Sequence, residues 1–135
     1  MMRRLGTESI AVREEEDLLL VRRMVRERAT ELGFGILDLT KIVTAASELG
    51  RNTLIHGGGG TMKLETIVEE NRRGLRLTFE DQGPGIADLE QAMTDGFTTK
   101  RGMGLGLGGT KRLVSEFELV SRLGEGTRVI VTRWT

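Results

Sequence analysis

Glu48 and Asn52 stand four residues apart, the interval at which two side chains lie one turn above each other on a helix. Their oxygens suit a hard cation: the Asn52 carbonyl can ligate magnesium, which keeps several of its waters, while the Glu48 carboxylate orients or deprotonates a nucleophile. A solvated helix face explains the same pair, and on spacing alone it is the commoner explanation. A second group, Asp81-Gln82-Gly83-Pro84-Gly85-Ile86, falls where a run of alternating residues ends. A carboxylate at a strand end, followed by glycines that admit another molecule to the backbone, can accept a hydrogen bond from an exocyclic amine such as adenine N6. A Pro-Gly turn opened by Asp81 is the equal alternative. The third group is Gly102-Met103-Gly104-Leu105-Gly106-Leu107-Gly108-Gly109, followed by Thr110 to Val114. Glycines at alternate positions let backbone N–H groups converge on phosphate oxygens, and a helix behind them adds the positive end of its dipole. Lys100 and Arg101 could bring charge to a terminal phosphate. The pattern lacks the Gly-Lys-Ser/Thr ending of a P-loop and the preceding strand of a dinucleotide fold, and a hinge is its structural alternative.

These groups need elements to hold them. Leu18, Val21, Val25, Ala29 and Leu32 recur at helical spacing within Glu14 to Leu32, behind an acidic start at Glu14 to Asp17 and before Gly33 as a stop. A second helix is expected from about Asp38 to Ile55, with Leu39, Ile42, Val43, Ala46, Leu49 and Thr53 on one stripe and Glu48 and Asn52 off it; the block Gly57 to Gly60 ends it. Thr61 to Val68 and Gly74 to Glu80 alternate as two strands of a hairpin around Glu69 to Arg73. Ser9 to Val12 reads as a weak edge strand, Leu89 to Thr94 as a short helix and Thr110 to Glu116 as a last one. Leu119 to Leu123 and Thr127 to Thr132 make a closing strand pair around Gly124-Glu125-Gly126. Met93, Phe97 and Met103 suit local packing better than a docking patch.

Composition narrows the setting. With 135 residues the chain is sized for one domain and one two-layer core. Its 20 basic and 20 acidic side chains cancel, so no overall field draws it to nucleic acid or to a membrane. There is no cysteine for a disulfide or thiol nucleophile, and a single histidine disfavours a protein-only zinc site. No apolar stretch approaches the ~20 residues of a membrane span, and no apolar segment follows Arg3 and Arg4, which leads to the expectation of a cytoplasmic protein. Glycine is the outlier, 19 residues against the roughly 7% of average proteins. Eight of them lie between Gly83 and Gly109 and four form Gly57 to Gly60, so they mark particular loops.

In their order along the chain the three groups resemble the N, G1 and G2 boxes of the GHKL ATPases, and the resemblance extends over nearly the whole sequence. Asp81 to Ile86, Asp95-Gly96-Phe97-Thr98-Thr99 and Gly102 to Gly108 look most like the anti-sigma-factor serine/threonine kinases, in particular the RsbT-type switch kinases of bacterial stressosomes. The resemblance implies an α/β (α+β) two-layer sandwich of Bergerat type, with a mixed, mainly antiparallel sheet and helices on one face, as a single domain spanning 1–135. It implies ATP and Mg2+ as cofactors, with Asn52 holding the metal, Glu48 as general base and Asp81 reading adenine N6. Gly83 and Gly85 would shape the adenine pocket, and Thr127 would support the base from a neighbouring strand. Gly102, Gly104, Gly106 and Gly108, with Leu105 among them and Lys100 and Arg101 ahead, would wrap the triphosphate. Ala87 to Arg101 would form a short lid. The implied activity is phosphorylation of a STAS-domain antagonist or stressosome-type scaffold, with a PP2C-type phosphatase as the later partner. His56, the one candidate phosphoacceptor of a histidine kinase, suits a helix-terminal cation or a site wall better, so the phosphate should leave for a hydroxyl on another protein. An anti-sigma factor that sequesters a sigma factor and a nucleotide sensor with little catalysis are the rival readings.

Overall fold

The computed structural model describes residues 2–86 and 107–135. The chain runs β1 (Met2–Val12), α1 (Glu15–Glu31), α2 (Ile36–Ile55), β2 (Gly60–Glu69), β3 (Arg72–Asp81), α3 (Leu107–Arg112), β4 (Glu116–Arg122) and β5 (Gly126–Trp134). The five strands form one sheet in the order β1-β2-β3-β5-β4. The sheet expected to be mainly antiparallel is antiparallel in all four of its described pairings.

Alternation along the strands sends one row of side chains to the helices. Met62 lies opposite Phe79 and Phe79 opposite Val129; Leu64 lies opposite Leu77 and Leu77 opposite Val131. These six residues are buried, together with Leu18, Val21, Val25 and Ala29 of α1 and Ile42, Ala46 and Leu49 of α2. Each large side chain contributes roughly 1.5–3 kcal/mol by leaving water, against the ~0–1 kcal/mol of an exposed ion pair. The apolar stripes therefore decide how helices meet sheet, and with it where Asn52 and Asp81 end up. Lys63, Glu65, Arg76 and Thr78 occupy the intervening positions, on the opposite face.

Local signals set the ends of the helices. The Asp17 carboxylate accepts from the N–H groups of Arg13 and Glu14, at 2.9 and 3.0 Å, which satisfies donors that the first turn of α1 leaves open. Gly33 closes a Schellman motif, with Phe34 N–H donating to Ala29 and Gly33 N–H to Thr30.

Three expectations shift. The edge strand is not Ser9 to Val12 but the whole of Met2–Val12; the added residues are mostly exposed and the register shifts between Arg4 and Gly6, so no alternating apolar row marks them. The turn of the β2–β3 hairpin is only Glu70 and Asn71, with Glu70 at φ 54°. The last helix starts at Leu107, inside the glycine run, and stops at Arg112. Leu107 and Thr110 are buried and anchor it, and Ser115 N–H already bonds Thr132 as the chain enters β4. The helix expected at Leu89 to Thr94, the lid Ala87 to Arg101 and the apolar trio Met93, Phe97 and Met103 lie outside the described residues.

Arg133 joins the layers at the far end of α2. Its guanidinium donates to the Leu113 carbonyl at 3.0 Å and pairs with Asp38. Hydrogen bonding and charge from Arg133 hold the Asp38 carboxyl below its ordinary range. A depressed carboxylate contributes stability above its unfolded-state value and loses it as pH falls through the folded-state one. Asp38→Asn should therefore melt a few degrees below the parent at neutral pH. In thermal unfolding followed by circular dichroism, that gap should close as the pH drops below the ordinary carboxylate range.

Candidate nucleotide-binding site

Three elements end at one cleft. The last turns of α2 bring Asn52 and His56 to it, the end of β3 brings Asp81, and the start of β5 brings Thr127. Leu49, Phe79, Val129 and Leu107 form its apolar walls, and Gly85 and Ile86 line its rim. Asn52, Asp81, Gly85 and Thr127, far apart in the chain, thus share one space.

Asp81 is held from both sides. Its carboxylate accepts from the N–H of Gly83 at 2.9 Å, and the backbone N–H of Thr127, its cross-strand partner, adds a second pull that favours the charged form. Partial burial raises its pKa, and the two N–H groups only partly offset that rise. Gly57 makes the arrangement sterically possible: a Cβ there would lie 2.3 Å from the Asp81 carboxyl carbon, far inside contact distance. Gly83 sits against Gly57, where a Cβ would come within 2.7 Å of the Gly57 Cα. Gly85 has φ +77°, and a Cβ on it would reach 2.3 Å from the Arg122 carbonyl oxygen, so only glycine lets this loop lie on the β4–β5 hairpin. Pro84 carbonyl accepts from Gly124 N–H at 2.7 Å and completes the contact.

The other expected residues are placed as follows. Glu48 is exposed on α2, one turn before Asn52, and does not line the cleft. Gly108 stands in the first turn of α3. Lys100, Arg101, Gly102, Gly104, Leu105 and Gly106 lie outside the described residues. Burial lowers the pKa of His56 and disfavours its cation, which fits a cleft wall and not a charged helix cap.

Two participants carried no sequence signal of their own. Gly57 reads as a helix stop, and only the fold shows that its missing side chain makes room for Asp81. Ser121, unremarkable in an alternating strand, hydrogen-bonds Ile86 and Thr127 at the cleft.

The donor set fits the cofactors expected. An apolar slot with a carboxylate and a hydroxyl at its end matches a flat base carrying an exocyclic amine. Among the described residues no three His, Cys, Asp or Glu side chains cluster to cage a metal. A magnesium ion held by Asn52 together with ligand phosphates and water, as that ion prefers, is compatible with these residues.

A carboxyl with a raised folded-state pKa favours folding below its unfolded-state value, and that favour is lost as pH rises through the raised value. The fold therefore carries a charged Asp81 at a cost at neutral pH. Asp81→Asn should hold or raise the melting temperature at pH 7 relative to the parent, and the difference should shrink on acidification; a lower melting temperature at pH 7 would contradict the burial argument.

Residues 37–134 match the family model of histidine kinase-, DNA gyrase B- and HSP90-like ATPases. The chain is 43% identical over 125 residues to the serine/threonine-protein kinase RsbT of Bacillus subtilis (strain 168), covering 93% of this chain and 94% of that one. It is 34% identical over 118 residues to the anti-sigma F factor of Thermoanaerobacter sp. (strain X514), covering 84% and 82%. Among solved structures, the RsbU and RsbW domains of Rv1364c from Mycobacterium tuberculosis superpose with a TM-score of 0.66 at 21% identity, over 96% of this chain and 32% of that one, a likeness of fold. The chain belongs to the histidine kinase-, DNA gyrase B- and HSP90-like ATPase family, the GHKL ATPases.

Proposed function

We propose that this chain is a protein serine/threonine kinase that binds ATP in the cleft and phosphorylates a STAS-domain antagonist or scaffold in a bacterial partner-switching stress pathway. The observation that carries the reading is the meeting of Asn52, Asp81 and Thr127 in one apolar cleft, in a chain that matches the kinase RsbT almost end to end. Asp81 accepts from the adenine amine, Thr127 supports the base, and Gly83 and Gly85 shape the loop beside it. The glycine run from Gly102 to Gly108, with Lys100 and Arg101 before it, wraps and neutralises the triphosphate.

Glu48 is exposed, as a base that must reach a hydroxyl on another protein has to be. Its carboxylate accepts the serine or threonine proton as the hydroxyl oxygen bonds the γ-phosphorus; the bond to the β–γ bridging oxygen breaks, and ADP leaves. Mg2+, held through Asn52, supplies charge neutralisation to the phosphates. His56 belongs to the cleft wall, and the phosphoacceptor lies on the other protein. The same surface that docks the antagonist later engages a PP2C-type phosphatase and activates it by binding. The expected setting is the cytoplasm; no described helix is long and apolar enough to cross a membrane.

A second reading is favoured by the match to an anti-sigma F factor. In it the chain sequesters a sigma factor, and phosphorylation of the antagonist is the release step. Co-purification with a sigma factor distinguishes the two.

Incubation with γ-labelled ATP and candidate STAS proteins should place label on a serine or threonine of one of them, and absence of label on all of them overturns the kinase reading. Glu48→Ala should lower phosphotransfer by about 10²–10⁴-fold with ATP still bound; unchanged transfer would remove Glu48 from its role.

A further inference from the structure

Ser121 lies on β4 directly across from Thr127 of β5 and faces the helices beside the cleft. Its hydroxyl oxygen has three neighbours: the Ile86 N–H at 2.8 Å, the Gly126 carbonyl oxygen at 3.1 Å and the Thr127 hydroxyl oxygen at 2.8 Å. A serine hydroxyl has one hydrogen to donate and two lone pairs to accept with. The Ile86 N–H can only donate, so it takes one lone pair. The Gly126 carbonyl can only accept, so all three contacts are hydrogen bonds only when it takes the hydrogen. One lone pair remains, and the Thr127 contact is satisfied only if Thr127 donates.

We infer that Ser121 is a positioning residue that turns Thr127 into an acceptor towards the cleft and thereby sets which base the site admits. With its hydrogen committed to Ser121, Thr127 presents only lone pairs to the cleft it lines. Asp81, paired with Thr127 across β3 and β5, is likewise an acceptor there. The floor of the cleft is then a row of acceptors. It welcomes the 6-amino group of adenine and repels the 6-carbonyl of hypoxanthine or guanine, because a carbonyl facing those lone pairs would be desolvated without a donor. The same hydroxyl holds Ile86, so the loop that follows Asp81 and the threonine beside it are fixed by one oxygen.

The inference rests on the ATP-binding reading, and its test separates the two. Dissociation constants for ATP and inosine triphosphate, which replaces the 6-amino group by a carbonyl, are measured on the full chain and its variants, with folding checked by circular dichroism. The parent should prefer ATP. Ser121→Ala frees the Thr127 hydrogen to point into the cleft, and the preference should fall roughly five- to tenfold, the worth of about one hydrogen bond. Ser121→Thr, which keeps the hydroxyl, should restore it. Thr127→Val gives an independent reading that does not depend on how well Ser121→Ala folds. If Thr127 is an acceptor, losing it weakens ATP more than inosine triphosphate and narrows the ratio; if it is a donor, the ratio widens. A widened ratio in Thr127→Val, or an unchanged ratio in folded Ser121→Ala, overturns the inference while ATP binding stands. A parent chain that binds no ATP overturns both.

Discussion

Everything at the cleft follows from a carboxylate drawn partly out of water at the end of β3. Burial raises the pKa of Asp81, and the protein answers with two backbone N–H donors without neutralising the group. Those donors come from different places. Gly83 lies two residues along the chain, whereas Thr127 arrives through the β3–β5 ladder. The acceptor therefore keeps its position only while the turn and the sheet are both intact. Gly57 adds the third requirement, since any side chain there would occupy the space of the carboxyl group. A helix end, a strand end and a neighbouring strand meet within one van der Waals contact of each other.

The β4–β5 hairpin carries the second half of the arrangement. Arg122 backs on to Gly85, Gly124 donates to Pro84, and Ser121 holds Ile86. These contacts clamp the loop that leaves Asp81 to an antiparallel pair rooted in the core through Val129 and Val131. Loops that bind ligands usually have few such ties. Here Pro84, Gly85 and Ile86 each meet the β4–β5 hairpin, so the start of the loop is tied to the sheet.

Which element carries each candidate residue was legible in the sequence where local geometry decides it. Glu48 and Asn52 could be assigned to one helix because their spacing matches its period, and the exposure of Glu48 agrees with its position off the apolar stripe. Asp81 could be put at a strand end because Leu75, Leu77 and Phe79 alternate up to it. What stayed hidden is what depends on distant contacts. The approach of Gly57 to Asp81 needs the whole sheet to form first, and nothing around Ser121 announces the three partners it meets. The beginning of α3 was misplaced for a related reason: glycines at 106, 108 and 109 argue against a helix, and the burial of Leu107 and Thr110 overrides that local preference. Of the first strand only Ser9 to Val12 was legible, because the residues before it are mostly exposed and its register shifts between Arg4 and Gly6.

The cleft and the core are also one continuous structure. Leu49, Phe79, Leu107 and Val129 belong both to the buried apolar cluster and to the cleft walls. Under the proposed function, a ligand with flat apolar faces would enter where another core side chain would sit in a closed sandwich, with its polar edge towards Asp81 and Thr127. Because such a ligand binds the folded chain and finds no such slot in the unfolded one, its affinity is at the same time folding stability. The apolar part of that gain comes from the same layer of side chains that joins α2 to the sheet. On the proposed function, substitutions at Leu49 or Phe79, although they present no polar atom to a nucleotide, should therefore act on binding and on folding together, whereas changes at Asp81 should separate the two.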